Sequence, residues 1–175
     1  MARRARGLAF GKGDLSDALK VLDGVRDEAR VPEHDEVRSE VARHFDARRE
    51  SVEYLLAEAR YLDAQRALDD LADAVRGQET LAAALDPLEE RLESDAGKRC
   101  LKDDAKLTRL LAPFTERDLD ELDLDFIRDL RAFAEQHRDS PVGERARRLD
   151  PLLKRIVRIL RKIPAKEFEE RVRDD

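Results

Sequence analysis

Gly13-Asp14-Leu15-Ser16-Asp17-Ala18, followed by Leu22 and Val25, is answered 46 residues later by Ala59-Arg60-Tyr61-Leu62-Asp63-Ala64, followed by Leu68 and Leu71. Each stretch reads as the start of an amphipathic helix. Asp14 can accept the free amides of a first turn, while Asp17 and Asp63 place negative charge near the positive end of a helix dipole. The apolar residues behind them recur at helical spacing. A third, less complete copy begins near Asp123, with Asp125 in the place of Asp63 and Leu130 in that of Leu68.

Working outward, the same periodicity fills most of the chain. A first helix carries Leu15, Ala18, Leu19, Leu22 and Val25 and stops before Val31-Pro32. A second starts near Glu33 with Val37, Val41, Phe45, Val52, Leu55, Leu56 and Ala59 inward, long enough to reach ~40 Å. The third runs from Tyr61 to the neighbourhood of Gly77, and the fourth carries Leu81, Leu85, Leu88 and Leu92. Ser94 or Asp95 can cap the fifth, with Leu101, Leu107, Leu110 and Leu111 before Pro113. Thr115 and Asp118 resemble a capping box for a short turn. Phe126, Ile127, Leu130, Phe133 and Ala134 mark the sixth, and Ser140-Pro141 is a strong start for the seventh, since a proline N–H is not needed at the first helical position. Two Leu-Asp-Pro-Leu segments, 85–88 and 149–152, predict a kink each. With short linkers, about seven helices should lie antiparallel, an all-α array of helical hairpins. The expected organisation is a flexible basic N-terminus over 1–12, a single helical domain over 13–164 and a charged tail over 165–175.

The turn of small residue, Asp or Arg, Leu or Tyr, two residues and Ala resembles the turn of a tetratricopeptide repeat. Phe133-Ala134-Glu135-Gln136-His137-Arg138-Asp139-Ser140-Pro141, continuing to Glu144-Arg145-Ala146, is similar to the bacterial subtype found in outer-membrane assembly lipoproteins and to the helical extension of some redoxin proteins. The periods here are 46 and about 62 residues instead of the family's 34, and no Cys-x-x-Cys is present, so redox activity does not carry over. The resemblance implies an α-solenoid or irregular helical-hairpin bundle that works as an interaction scaffold.

Composition agrees with that class. Of 175 residues 43% are charged and only 5% aromatic, with 35 basic side chains against 41 acidic ones, for a net charge of −6. The mean argues against general affinity for nucleic acid. No apolar run is long enough for a membrane span, and Arg3, Arg4 and Arg6 are followed by only Leu8, Ala9 and Phe10, too little for a signal peptide. A soluble protein of a reducing cytoplasm is expected, or a periplasmic one if the chain is part of a longer exported protein. The 27 Arg against 8 Lys suggest a GC-rich, bacterial-type genome.

Residues capable of chemistry are scattered. His34 and His44 lie ten positions apart, too far on one helix for a shared metal, and His34 sits in a polar helix start. His137 closes a helix, where positive charge suits the dipole. Gly7, Gly11, Lys12 and Gly13 lack the spacing and the Ser or Thr of a phosphate loop. Cys100 has basic neighbours but no His or second Cys beside it, so an idle or buried thiol is expected. Asp118, Asp120, Glu121, Asp123 and Asp125 lack the turn glycine and final Glu of a calcium loop. Neither catalysis nor a cofactor or metal is predicted.

The last helix stands apart. From 140 to 166 nine basic residues face only Glu144 and Asp150, in the stretch richest in Leu, Ile and Val. Its arginines can neutralise the acidic stretch from Glu116 to Asp129 as the array closes. As a surface, they suit a protein partner with an acidic face, through Arg148, Arg155, Arg158, Arg161 and Lys162, with Tyr54 and Tyr61 as anchors in the groove between hairpins. The alternative is an adaptor whose basic amphipathic helix docks on nucleic acid or an anionic membrane.

Overall fold

The computed structural model describes residues 1–26, 29, 31–112 and 124–160. All regular structure among them is helical, as expected: α1 (Ala2–Arg6), a π-helical turn (Gly7–Lys12), α2 (Leu15–Asp23), α3 (Pro32–Ala57), α4 (Tyr61–Ala74), α5 (Glu79–Ala83), α6 (Asp86–Glu93), α7 (Asp95–Leu111), α8 (Leu124–Gln136) and α9 (Pro141–Leu160). The backbone parts into two compact units, Met1–Gly97 and one beginning at Lys98, where one domain over 13–164 was expected. The Thr115–Asp118 turn, the acidic connector through Asp123 and the tail over 165–175 lie outside the described residues.

The first unit begins with a departure from the sequence reading. Residues 2–12, expected as a flexible lead-in, are helical, and Ala2, Ala5 and Ala9 bury one narrow face against α2 and α3. Gly13 then turns the chain with φ 74°, and the Asp14 carboxylate accepts the Asp17 amide at 2.8 Å, as its capping role requires. The α2 helix stops at Gly24, short of the expected Arg30. The long α3 spans 26 residues, close to the expected length, and its Val37, Val41, Phe45, Val52 and Leu56 face the core. It ends at Ala57, and the turn that follows passes through Ala59 at φ 56°, the left-handed counterpart of Gly13, and sends α4 back along α3.

Tyr61, Ala64, Leu68 and Leu71 form the buried stripe of α4; a fully buried Leu such as Leu71 contributes about 1.5–3 kcal/mol. Ser16, only 3% exposed, donates its hydroxyl to the Arg76 carbonyl at 2.8 Å and so ties α2 to the end of α4. The expected fourth helix divides into α5 and α6, with Pro87 in the first turn of α6, where its missing N–H costs nothing. In the other Leu-Asp-Pro-Leu segment, by contrast, Pro151 remains inside α9. There Val142, Ala146 and Leu153 anchor both flanks of the proline in the core.

Arg6 clamps α1 to α3: its Nε donates to Glu40 Oε2 at 2.9 Å and its Nη2 to Oε1 at 3.1 Å. Hydrogen bonding to Arg6 holds the Glu40 carboxyl below its ordinary range, and the same bond raises Arg6. The stabilisation is therefore complete above the unfolded pKa of about 4.3 and is lost as pH falls through the lower folded value. Glu40→Gln should accelerate amide exchange in residues 2–9 at neutral pH and flatten its acid dependence. A variant whose α1 amides exchange like the parent's at both pH values would remove the clamp.

In the second unit α8 packs on α9 through Ile127, Leu130, Phe133 and Ala134 on one side and Val142, Ala146 and Leu153 on the other. Pro141 opens α9 as predicted, with Ser140 Oγ accepting the Val142 amide at 3.3 Å. The count of seven helices thus becomes nine α-helices among the described residues, through α1 and the division of the fourth.

Candidate functional site

The α9 helix buries one face and opens another. Val142, Ala146 and Leu153 point inward, whereas Leu152 is 58% and Ile156 42% exposed. At 100° per residue Arg148, Leu152, Arg155 and Ile156 fall within an arc of about 100°, and all four are exposed. This arc mixes two apolar side chains with two guanidinium groups. It can cover apolar surface on a partner while pairing with carboxylates at the rim.

Of the other residues expected in this surface, the side chains of Arg158, Arg161 and Lys162 lie outside those described. Tyr54 is 62% exposed on α3, in the first unit. Tyr61 is not: at 5% exposure its ring belongs to the core stripe of α4, which corrects the expectation that both tyrosines line one groove. A buried ring cannot meet a partner without unpacking Ala64 and Leu68 beside it.

Where α9 carries basic residues earlier in its length, they are engaged in packing. Arg145 Nη1 donates to Asp104 Oδ1 of α7 at 2.7 Å, and the aspartate is 2% exposed. Arg147 caps the end of α8 by bonding the Arg138 carbonyl. Asp150 of α9 accepts from Arg131 of α8 at 3.2 Å and from Lys154 at 2.6 Å. Arg145 and Arg147 thus find α7 and the end of α8, while most of the acidic stretch lies outside the described residues.

His137 follows α8 as expected, with its ring 4.4 Å from that of Phe133 and its Nδ1 3.1 Å from Asp103 Oδ2. That pairing was invisible from the sequence, because 34 residues separate the partners. His34 serves its helix start, accepting the Val31 amide at 3.2 Å, and His44 meets the Phe10 ring edge-on at 5.2 Å. Cys100 is a half-buried free thiol. Among the described residues no His, Cys, Asp and Glu group could hold a metal ion, and no helix is long and apolar enough to cross a membrane. Comparison with protein-family models, with curated proteins and with solved structures returns no match.

Proposed function

We propose that the chain is a non-catalytic interaction or scaffold module of helical-hairpin type that docks a protein with an acidic surface on the outer arc of α9. The observation that carries this reading is the exposure of Leu152 and Ile156 side by side with the exposed Arg148 and Arg155, which form one edge of the same arc. Isolated exposed leucines are commonplace, but two apolar side chains one helical turn apart and bordered on one side by two arginines make a docking arc. Charge complementarity selects an acidic partner.

Two repeated corners support the kinship with helical repeats. Gly13 and Ala59, aligned in sequence, both adopt left-handed backbone, and behind them Leu15 and Tyr61, Ala18 and Ala64, and Leu22 and Leu68 are buried in pairs. A second pair is Ser94-Asp95-Ala96-Gly97 and Ser140-Pro141-Val142-Gly143, again 46 residues apart. In each the serine hydroxyl accepts a first-turn amide, from Gly97 at 3.0 Å and from Val142 at 3.3 Å.

A photo-crosslinking amino acid at position 152 or 156, with position 66 as control, tests the reading in cells. The expected product is a protein adduct from 152 and 156 only, joined through an acidic peptide and lost in Arg148→Glu/Arg155→Glu. Adducts to nucleic acid or phospholipid, an adduct of twice the chain's mass, or equal capture at position 66 would each defeat it.

A further inference from the structure

We propose that the outer face of α7 is a landing surface for the phosphate backbone of a double-stranded nucleic acid. Lys98, Arg99, Lys102, Lys106 and Arg109 are all exposed, and helical geometry brings them within one arc of about 100°. They extend over about 16 Å of helix at 1.5 Å per residue. Of the acids of α7, Asp95 stands within this arc at its N-terminal end, and only Asp104 is on another side of the helix. Asp104 is buried against Arg145, and Asp103 reaches His137 at 3.1 Å while standing 3.9 Å from Lys106 at the edge of the arc. What remains outward is a row of positive charge along a concavity of about 400 Å³ lined by Arg99, Lys102, Asp103, Ala105, Lys106 and Arg109. This surface is independent of the α9 arc and carries the opposite character, charge without apolar cover.

The partner follows from what the face lacks as well as from what it has. Ala105 is its one apolar side chain, so nothing can enter a lipid layer. It carries no aromatic ring on which unpaired bases could stack, which disfavours single strands. A duplex backbone supplies dense negative charge, and its counterions are released when lysine and arginine replace them. Contacts of this kind position the protein without reading base sequence.

The test is anisotropy of a fluorescent DNA duplex of about 20 base pairs with the full chain at 50 to 200 mM salt. Five phosphate contacts predict about 500-fold weaker binding across that range. Lys102→Ala/Lys106→Ala should reduce the loss to about 40-fold, with unchanged helicity and melting, while Arg66→Ala on α4 should match the parent. No binding at 50 mM salt, or a double variant that binds as the parent does, would overturn the proposal. Preference for polyglutamate or for phosphatidylglycerol vesicles over the duplex would also overturn it, assigning the face to an acidic protein or a membrane.

Discussion

Gly143→Ala is expected to cost about 3 kcal/mol or more, near the upper end of what overpacking produces. Gly143 lies in the first turn of α9, where the chain doubles back past the end of α8. A methyl group there would stand 2.0 Å from the His137 carbonyl oxygen and 2.6 Å from its carbonyl carbon. Those are backbone atoms, so relief requires the α8–α9 corner itself to open. Gly97 repeats the situation between α6 and α7, with the Arg91 and Leu92 carbonyl oxygens 2.3 and 2.4 Å from the added carbon. Gly7 provides the contrast: it is helical, nothing lies within 4 Å, and alanine there should add about 0.5–1 kcal/mol by restricting the unfolded chain. Urea unfolding, with amide exchange to locate the loss in α8 and α9, checks all three. A Gly143→Ala protein within 0.5 kcal/mol of the parent would show that the helices do not approach so closely.

The two corners also show which signals the sequence could carry. Ser140-Pro141 was legible because a cap is local: hydroxyl, amide and proline lie within three residues. The glycine three positions on stands equally plainly in the sequence, but its purpose depends on a carbonyl six residues earlier, brought near only when the hairpin closes. The same limit explains Asp103 and Asp104. Adjacent in sequence, they turn to His137, just past the end of α8, and to Arg145 of α9, and helical periodicity holds no information about partners so distant. Tyr61 is a different case, since its spacing from Ala64, Leu68 and Leu71 already placed it on the buried stripe. Its aromatic ring suits an anchor, but its position on that stripe commits it to the core. Ala2, Ala5 and Ala9 also have helical spacing, but three methyl groups among arginines and glycines make a faint stripe, and their burial depends on α2 and α3 folding over them.

Arg145→Met is expected to destabilise the second unit by about 3 kcal/mol, because it strands the carboxylate of Asp104 away from water. With the aspartate 2% exposed and the guanidinium 19%, the 2.7 Å pair is the most buried ion pair described. Removing one member leaves the buried carboxylate without the guanidinium that faces it at 2.7 Å. The pair itself need contribute little, since taking both charges out of water offsets much of their attraction. Asp104→Leu/Arg145→Met should therefore recover most of the loss, and the difference from the sum of the single variants measures the coupling. Arg38 and Asp23 provide the surface comparison: their contact is 2.6 Å, yet both side chains are about half exposed, and Arg38→Met should cost no more than about 1 kcal/mol. Salt separates the two cases further, since it screens the exposed pair and hardly reaches the buried one. If Arg145→Met cost under 1 kcal/mol, or if 1 M salt erased its effect, Asp104 would have to be in contact with water. The turning of Asp104 away from α7's basic face would then lose its cause.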